Sequence, residues 1–165
     1  MKKKLAKLLI CVSMIGLVFS LGACGSDDDS NTGKKPASQQ STTKKPSSSK
    51  QYASIKDYVN DPTFQAEVKK LIEQYEGQGM SMTITGEGDK LVYTYKYTNE
   101  QLIDEDFSLE DAQAYFDEEV AKQESQFKSL AKQLPTYIDV DDPSVVLRYY
   151  DYDDTLIWEK EFKAD

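Results

Sequence analysis

The sequence contains no histidine and only two cysteines, Cys11 and Cys24, both near the N-terminus. Without histidine the chain lacks the commonest metal ligand and the usual general base near neutral pH. Beyond residue 24 it has no thiol, so neither a disulfide framework nor a cysteine nucleophile can form there. A Gly-x-Ser-x-Gly motif is also missing. We therefore predict a non-catalytic protein without a metal or cofactor.

The first residues have the layout of a secretory signal. Lysines at positions 2, 3, 4 and 7 precede an apolar run from Leu8 to Val18, and small residues lie just before Cys24. Because this run is short and a polar stretch follows it, residues 1–23 are predicted to be a cleaved signal peptide. Two alternatives stay open: an ordinary signal peptide with a chance cysteine, or an uncleaved anchor helix.

The segment Leu21-Gly22-Ala23-Cys24 resembles the lipobox of bacterial lipoproteins. The resemblance implies that the Cys24 sulfur carries a diacylglyceryl group and that Cys24 becomes the first mature residue. Two acyl chains hold a protein firmly on a bilayer, at about 0.8 kcal/mol per buried methylene, whereas one chain binds only marginally. We therefore expect a lipid-anchored protein on the extracytoplasmic face of the cell membrane.

Residues 24–51 are predicted to be a disordered tether that begins at the lipidated cysteine. From residue 25 to residue 51 there is no aromatic or large aliphatic side chain, so no core can form. A flexible coil of this length has a root-mean-square span of about 30 Å. The rest of the chain, residues 52–165, carries 11 basic and 26 acidic residues, a net charge of −15. Such a domain repels phosphate backbones, so nucleic acid is excluded as a partner.

Residues 52–165 are long enough for a single folded domain with one core. Ser54 and Asp57 form a capping box that predicts a short helix ending at Val59. Asp61-Pro62 then starts a second helix, and Gly77 stands where a left-handed C-terminal cap is expected. The apolar face of this second helix is formed by Phe64, Val68, Leu71, Ile72 and Tyr75.

Two segments with alternating apolar and polar residues predict β-hairpins. The first runs from Met80 to Tyr97 around Gly86-Glu87-Gly88-Asp89, and the second from Val145 to Phe162. The second turn, Asp151 to Asp154, has Asp153-Asp154 where glycine is expected. Between the hairpins, a capping box at Ser108 and Asp111 begins another helix. Its apolar residues are Leu109, Ala112, Phe116, Val120, Phe127, Leu130 and Leu134, with Pro135 after its end.

The order αββαββ predicts an α+β fold, a two-layer sandwich with a four-stranded antiparallel sheet and two helices on one face. Three segments carry a resemblance to short uncharacterised lipoproteins of Gram-positive bacteria that share a domain of unknown function. These segments are Tyr52 to Asn60, Gly79 to Tyr97 and Val145 to Phe162. The resemblance implies an exported, tethered α+β domain, and it supplies no catalytic or ligand residues.

Aspartates cluster in the chain, which raises the question of calcium binding. An EF-hand needs glycine at position six and glutamate at position twelve. Counting from Asp139 gives Ser144 and Tyr150, and counting from Asp151 gives Leu156 and Phe162, so neither cluster fits. These clusters are interpreted as polar turns. Weak cation binding at Asp151, Asp153 and Asp154 remains as a hypothesis.

All 11 tyrosines lie in the predicted domain. Leu91, Tyr93, Tyr95, Tyr97 and Trp158 are predicted to face the helices, because tyrosine suits half-buried sheet positions. Tyr149, Tyr150 and Tyr152 cannot all face inward, since neighbours on a strand point to opposite faces. We predict that they form a contact surface beside the acidic turn, able to stack on a glycan or grip a peptide.

Together these features favour a membrane-anchored extracytoplasmic lipoprotein with a non-catalytic binding domain. Besides the membrane, which its N-terminal lipid would enter, the expected partners are a protein, a peptide or a cell-wall polymer. An alternative is an accessory or sensory subunit of a membrane complex. A small hydrolase that uses paired carboxylates is less favoured, because it needs a cleft with one carboxyl group in an apolar pocket.

Overall fold

A computed structural model describes residues 50–98 and 106–164. The predicted signal peptide, Cys24 and nearly all of the predicted tether lie outside the described residues. Eight elements follow one another in the described part. They are α1 (Ile55–Val59), α2 (Pro62–Glu76), β1 (Met80–Glu87), β2 (Lys90–Tyr97), α3 (Leu109–Ala121), α4 (Glu124–Tyr137), β3 (Ser144–Tyr150) and β4 (Leu156–Lys163). Within those two ranges, no helix combines the length and the apolar character needed to span a membrane.

The first two helices begin where the sequence predicts. The Ser54 hydroxyl accepts a hydrogen bond from the Asp57 backbone N–H at 3.0 Å, and the Asp61 carboxylate accepts one from Thr63 at 2.8 Å. These bonds satisfy N–H groups that have no partner inside the helix. The predicted left-handed cap at Gly77 is wrong, because Gly77 has a right-handed φ of −62°. Gly79, with φ of +79°, takes the left-handed conformation instead and leads into β1.

The helix predicted from Ser108 to Leu134 is two helices. The capping box at Ser108 starts α3 as expected, but the helix breaks at Lys122 and Gln123. Pro135 does not follow the second helix, as predicted, but lies inside the last turn of α4. A straight helix over residues 109–137 would be about 40 Å long, whereas a strand of seven residues such as β3 spans about 23 Å. The break allows both halves to stay on the sheet.

The four strands form one sheet in the order β1-β2-β3-β4. Both predicted hairpins are present as antiparallel pairs, with Met82 opposite Tyr95 and Tyr149 opposite Trp158. The prediction of an all-antiparallel sheet is wrong, because β2 and β3 pair in parallel. Since α3 and α4 together return the chain from the end of β2 to the start of β3, they act as the crossover that parallel strands require. The fold is therefore α+β with a mixed sheet, and the described part has four helices rather than two.

The helices pack on a single face of the sheet. Aromatic rings from α2, α3 and α4 meet that face, with Tyr75 5.2 Å from Tyr95 and Phe127 4.8 Å from Phe162 between ring centres. The opposite face carries Val92 and Val146, which are buried although none of the helices in residues 50–98 and 106–164 covers them. Ion pairs between the strands cross this second face. We call it the open face of the sheet.

Candidate functional site

The carboxyl ends of β2 and β3 meet at the same end of the sheet, because these two strands are parallel. The turn that joins β3 to β4 also lies there. Tyr150 pairs across the strands with Leu156, and Lys96 is the register partner of Tyr150 on the other side. We define the hairpin-end surface by Lys96, Tyr150, Tyr152, Asp154 and Leu156. It adjoins the open face of the sheet.

The turn from Asp151 to Thr155 has a defined geometry. The Asp151 N–H donates to the Thr155 carbonyl at 2.8 Å, and the Asp154 N–H donates to the Asp151 carbonyl at 3.2 Å. Asp154 has φ of +69° and takes the left-handed conformation for which glycine was expected. Aspartate is among the few residues with a side chain that enter this region with some frequency. Asp154 therefore performs the geometric role of the missing glycine.

The Asp153 carboxylate further orders this turn by accepting a hydrogen bond from the Thr155 N–H at 3.0 Å. This bond holds the pKa of Asp153 below its ordinary value, and the charge of Lys96 acts in the same direction. Asp153 is consequently ionised at neutral pH. The turn presents its negative charge in a fixed position.

The three tyrosines predicted to form the contact surface do not lie together at the surface. Tyr149 is fully buried, with its ring 4.8 Å from that of Tyr95 and 4.3 Å from that of Phe116. It points towards the helices because its strand position is in register with Tyr95 on the core face. Tyr149 is thus removed from the candidate site. Tyr150 is half-buried on the other face, and Tyr152 is 46% exposed.

Four large hydrophobic side chains are exposed among residues 50–98 and 106–164, and three of them lie towards this end of the sheet. Tyr152 and Leu156 belong to the hairpin itself. Leu109 lies one helical turn before Gln113, whose side-chain amide donates to the Ile157 carbonyl at 3.2 Å, so the start of α3 lies beside the start of β4. The fourth is Tyr137, at the end of α4.

The open face next to this site is held by ion pairs that connect all four strands. Arg148 on β3 pairs with Glu87 on β1 at 2.8 Å and with Glu159 on β4. These hydrogen bonds raise the pKa of Arg148 above its ordinary value. Lys90 and Glu161 join β2 to β4 at 2.7 Å. Because Arg148 and Glu87 lie on either side of β2, their pair crosses the strand that carries the buried Val92.

A cation site at Asp151, Asp153 and Asp154 would need the three carboxylates to face a common point, but each of them contacts a different protein group. Asp151 is buried and accepts from the Tyr152 N–H at 2.9 Å, while the Asp154 carboxylate pairs with Lys96 at 2.5 Å. The three carboxylates are thus directed to separate protein groups. Within the described residues, no group of three potential ligands is placed to hold a metal ion.

Other predicted positions agree with the structure. Leu91, Tyr93, Tyr95, Tyr97 and Trp158 are all buried, as predicted. Burial also raises the pKa values of Tyr93 and Tyr95, so their phenols stay neutral well beyond physiological pH.

The sequence analysis did not identify three residues at this end of the sheet: the exposed Leu109 and Leu156, and the positively charged Lys96. The spacing of apolar residues places Leu109 on the apolar helix face, but at the first turn of α3 it is 37% exposed. Leu156 could have been recognised from the register of the hairpin, which places it opposite Tyr150. Nothing local pointed to Lys96, since its partner Asp154 is 58 residues away in sequence.

The described residues thus define a small α+β domain with helices on one face of a mixed sheet and an exposed apolar cluster at one end. Residues 55–162 match the model of a domain of unknown function, DUF4854, and the chain belongs to that family. Neither a curated protein nor a solved structure matches the chain.

Proposed function

We propose that this protein is a membrane-anchored extracytoplasmic lipoprotein whose folded domain is a non-catalytic binding domain. The observation that carries the binding function is the gathering of exposed apolar side chains at the hairpin end. Tyr152 and Leu156 are each more than two-fifths exposed, and the half-buried Tyr150 lies opposite Leu156. Exposed apolar side chains that cluster, rather than occur singly, are typical of contact sites.

The position of the tether supports presentation of this surface to a partner. The backbone N–H groups of Gln51 and Tyr52 donate to the Tyr137 carbonyl, and Tyr52 forms a bridge with Ile138. These contacts lie just before β3 begins, at the end of the sheet opposite the hairpin turn. The strand between them spans about 23 Å. Residues 51 and 52 therefore enter the domain away from the hairpin-end surface.

The anchor rests on the N-terminal sequence and needs its own test. Mass spectrometry of the mature N-terminal peptide is expected to find a diacylglyceryl group on Cys24. An unmodified cysteine, or a mature protein that begins elsewhere, would refute the anchor without touching the binding function.

The binding function can be tested by site-specific photo-crosslinking on intact cells. A photoreactive amino acid replaces Tyr152 in one variant and Tyr137 in a control of similar exposure at the opposite end of the sheet. We expect adducts from position 152 and far fewer from position 137. Equal or absent labelling at position 152 would contradict a contact function there. If the adduct is a membrane complex, the accessory-subunit alternative is favoured over a soluble or wall-bound partner.

A further inference from the structure

We infer that the hairpin-end surface binds a cationic, amphipathic segment of another protein, one that presents apolar side chains beside lysines or arginines. The inference rests on the proposed binding function and names the class of partner. Two properties of the surface support it. One is the exposed apolar cluster of Tyr152 and Leu156, and the other is the sign of the charge around that cluster.

The apolar cluster is held rigidly, which reduces the entropy lost on binding. Tyr152 lies in a turn fixed by backbone bonds and by the Asp153 carboxylate. Behind the hairpin, Trp158 donates from its indole nitrogen to Asp117 at 2.9 Å, which ties β4 to α3. Tyrosine also offers a large contact area with few rotatable bonds. The cluster can therefore act as a preformed anchor site for an apolar side chain.

The charge around this cluster is negative. Asp153 and Asp154 lie in the turn, and Glu110 is exposed in the first turn of α3 beside Leu109. Lys96 is the cation of the hairpin-end surface, and it is already paired with Asp154. A partner with lysine or arginine beside its apolar residues would meet this rim with complementary charge, which raises the rate of association and excludes anionic partners.

The same charge argues against other occupants of the surface. Phosphate-rich polymers and anionic lipid would be repelled by a domain with a net charge of −15. In a symmetric dimer the same patch lies on both sides of the interface, so a second copy would place two acidic rims against each other.

The tether of this chain is basic, so it is itself a candidate occupant of the hairpin-end surface. Its last lysine, Lys50, pairs with Asp139 at the opposite end of the sheet. Lys44 and Lys45 are at most about 20 Å further along an extended chain, short of the roughly 23 Å that β3 alone spans. Lys34 and Lys35 are far enough along the chain to reach the hairpin-end surface, so the test includes them.

Binding of synthetic peptides to the full mature chain tests this inference, with calorimetry for affinity and NMR shifts for location. The peptides are an amphipathic lysine–leucine peptide, a glutamate–leucine peptide of the same pattern, and a lysine–serine peptide without apolar residues. We expect the first to bind best and to shift residues 150–156. Tyr152→Ala should weaken its binding about tenfold, the loss typical of an interface anchor, while Tyr137→Ala leaves it unchanged.

Charge variants complete the test. Asp154→Asn and Glu110→Gln should each weaken binding of the lysine–leucine peptide several-fold, and added salt should reduce the difference. Glu67→Gln on α2 is the matched control and should have no effect. Equal binding of the glutamate–leucine peptide, or equal binding of the lysine–serine peptide, would overturn the inference. So would tighter peptide binding after Lys34→Ser and Lys35→Ser, which would identify the tether as the occupant.

The two proposals can fail separately. If cells give crosslinks at position 152 but the peptides show no preference for positive charge, the binding function stands and the cationic partner is wrong. If position 152 gives no crosslinks above position 137, the binding function itself is refuted.

Discussion

Gly86 on β1 lies so close to the start of α1 that a Cβ atom at this position would be 2.5 Å from the backbone nitrogen of Lys56. The neighbouring atoms belong to backbone, which cannot rotate away. Gly86 pairs with Leu91 on the face that the helices cover, so its lack of a side chain is what lets α1 lie directly on the sheet. The short helix and the strand depend on each other through this contact.

Gly86→Ala is therefore expected to lower the free energy of unfolding by about 2–4 kcal/mol, because it forces helix and strand apart. Urea denaturation would measure the loss. Gly88→Ala is the control: no atom lies within 4 Å of a Cβ there, and only the left-handed φ of +61° opposes the change, at a cost of about 1–2 kcal/mol. A smaller loss for Gly86→Ala than for Gly88→Ala would contradict the close contact.

The two faces of the second hairpin should respond differently to truncation. Tyr149→Ala removes a fully buried ring that stacks on Tyr95 and packs against Phe116, so we expect a loss of about 3–5 kcal/mol in unfolding free energy. Tyr152→Ala, at an exposed position in the turn, should change it by less than about 0.5 kcal/mol. Thermal and urea denaturation of both variants would check this. Comparable losses would mean that Tyr152 is structural, and its use as a binding probe would fail.

Arg148 should contribute more to stability than an exposed lysine in an ordinary helix pair. Its side chain is 23% exposed and pairs with both Glu87 and Glu159. Arg148→Met is expected to cost about 1 kcal/mol, since several charges form a network across the open face. Lys122→Met, which removes the pairs with Glu118 and Glu119 at the C-terminal end of α3, should have no measurable effect. If high salt leaves the stability difference between Arg148→Met and the wild type unchanged, the ion pairs are not its source.

Asp61 should make stability depend on acidic pH. Its carboxylate accepts the Thr63 N–H, which holds the pKa of Asp61 below its ordinary value of 3.8. Because the folded state lowers this pKa, the contribution is present above the ordinary value and is lost as pH falls through the folded value. Asp61→Asn keeps a capping oxygen but cannot titrate, so its urea-derived stability should fall less steeply below pH 4. An identical acid slope in both proteins would refute this role for Asp61.

The parts of the fold that depend on near neighbours in sequence could be predicted. The capping bonds of Ser54 and Ser108 join residues three positions apart, and both hairpins close over short turns. The burial of Tyr93 and Tyr95 followed from alternation along one strand. The direction of β3 against β2 could not be predicted, because the crossover that sets it depends on where α3 and α4 pack.

The candidate site was predicted only in part, for the same reason. Alternation showed that Tyr149 and Tyr150 face opposite ways but not which of them faces the core. That choice depends on the register with Tyr95, a residue from the other hairpin. Leu109 comes near the site through the contact between Gln113 and β4, which spans 44 residues.

The amino-acid sequence by itself determined the two hairpins, the starts of α1, α2 and α3, the alternation of faces along the strands and the negative charge of the domain. Each of these is set by residue type and by spacings of two to four positions. Only the tertiary structure decided the mixed sheet, the break between α3 and α4, and the set of side chains exposed at the hairpin end. Those features depend on how segments distant in sequence pack on the same face of the sheet. Local conformational preferences do not distinguish between the alternative arrangements, so tertiary packing decides between them.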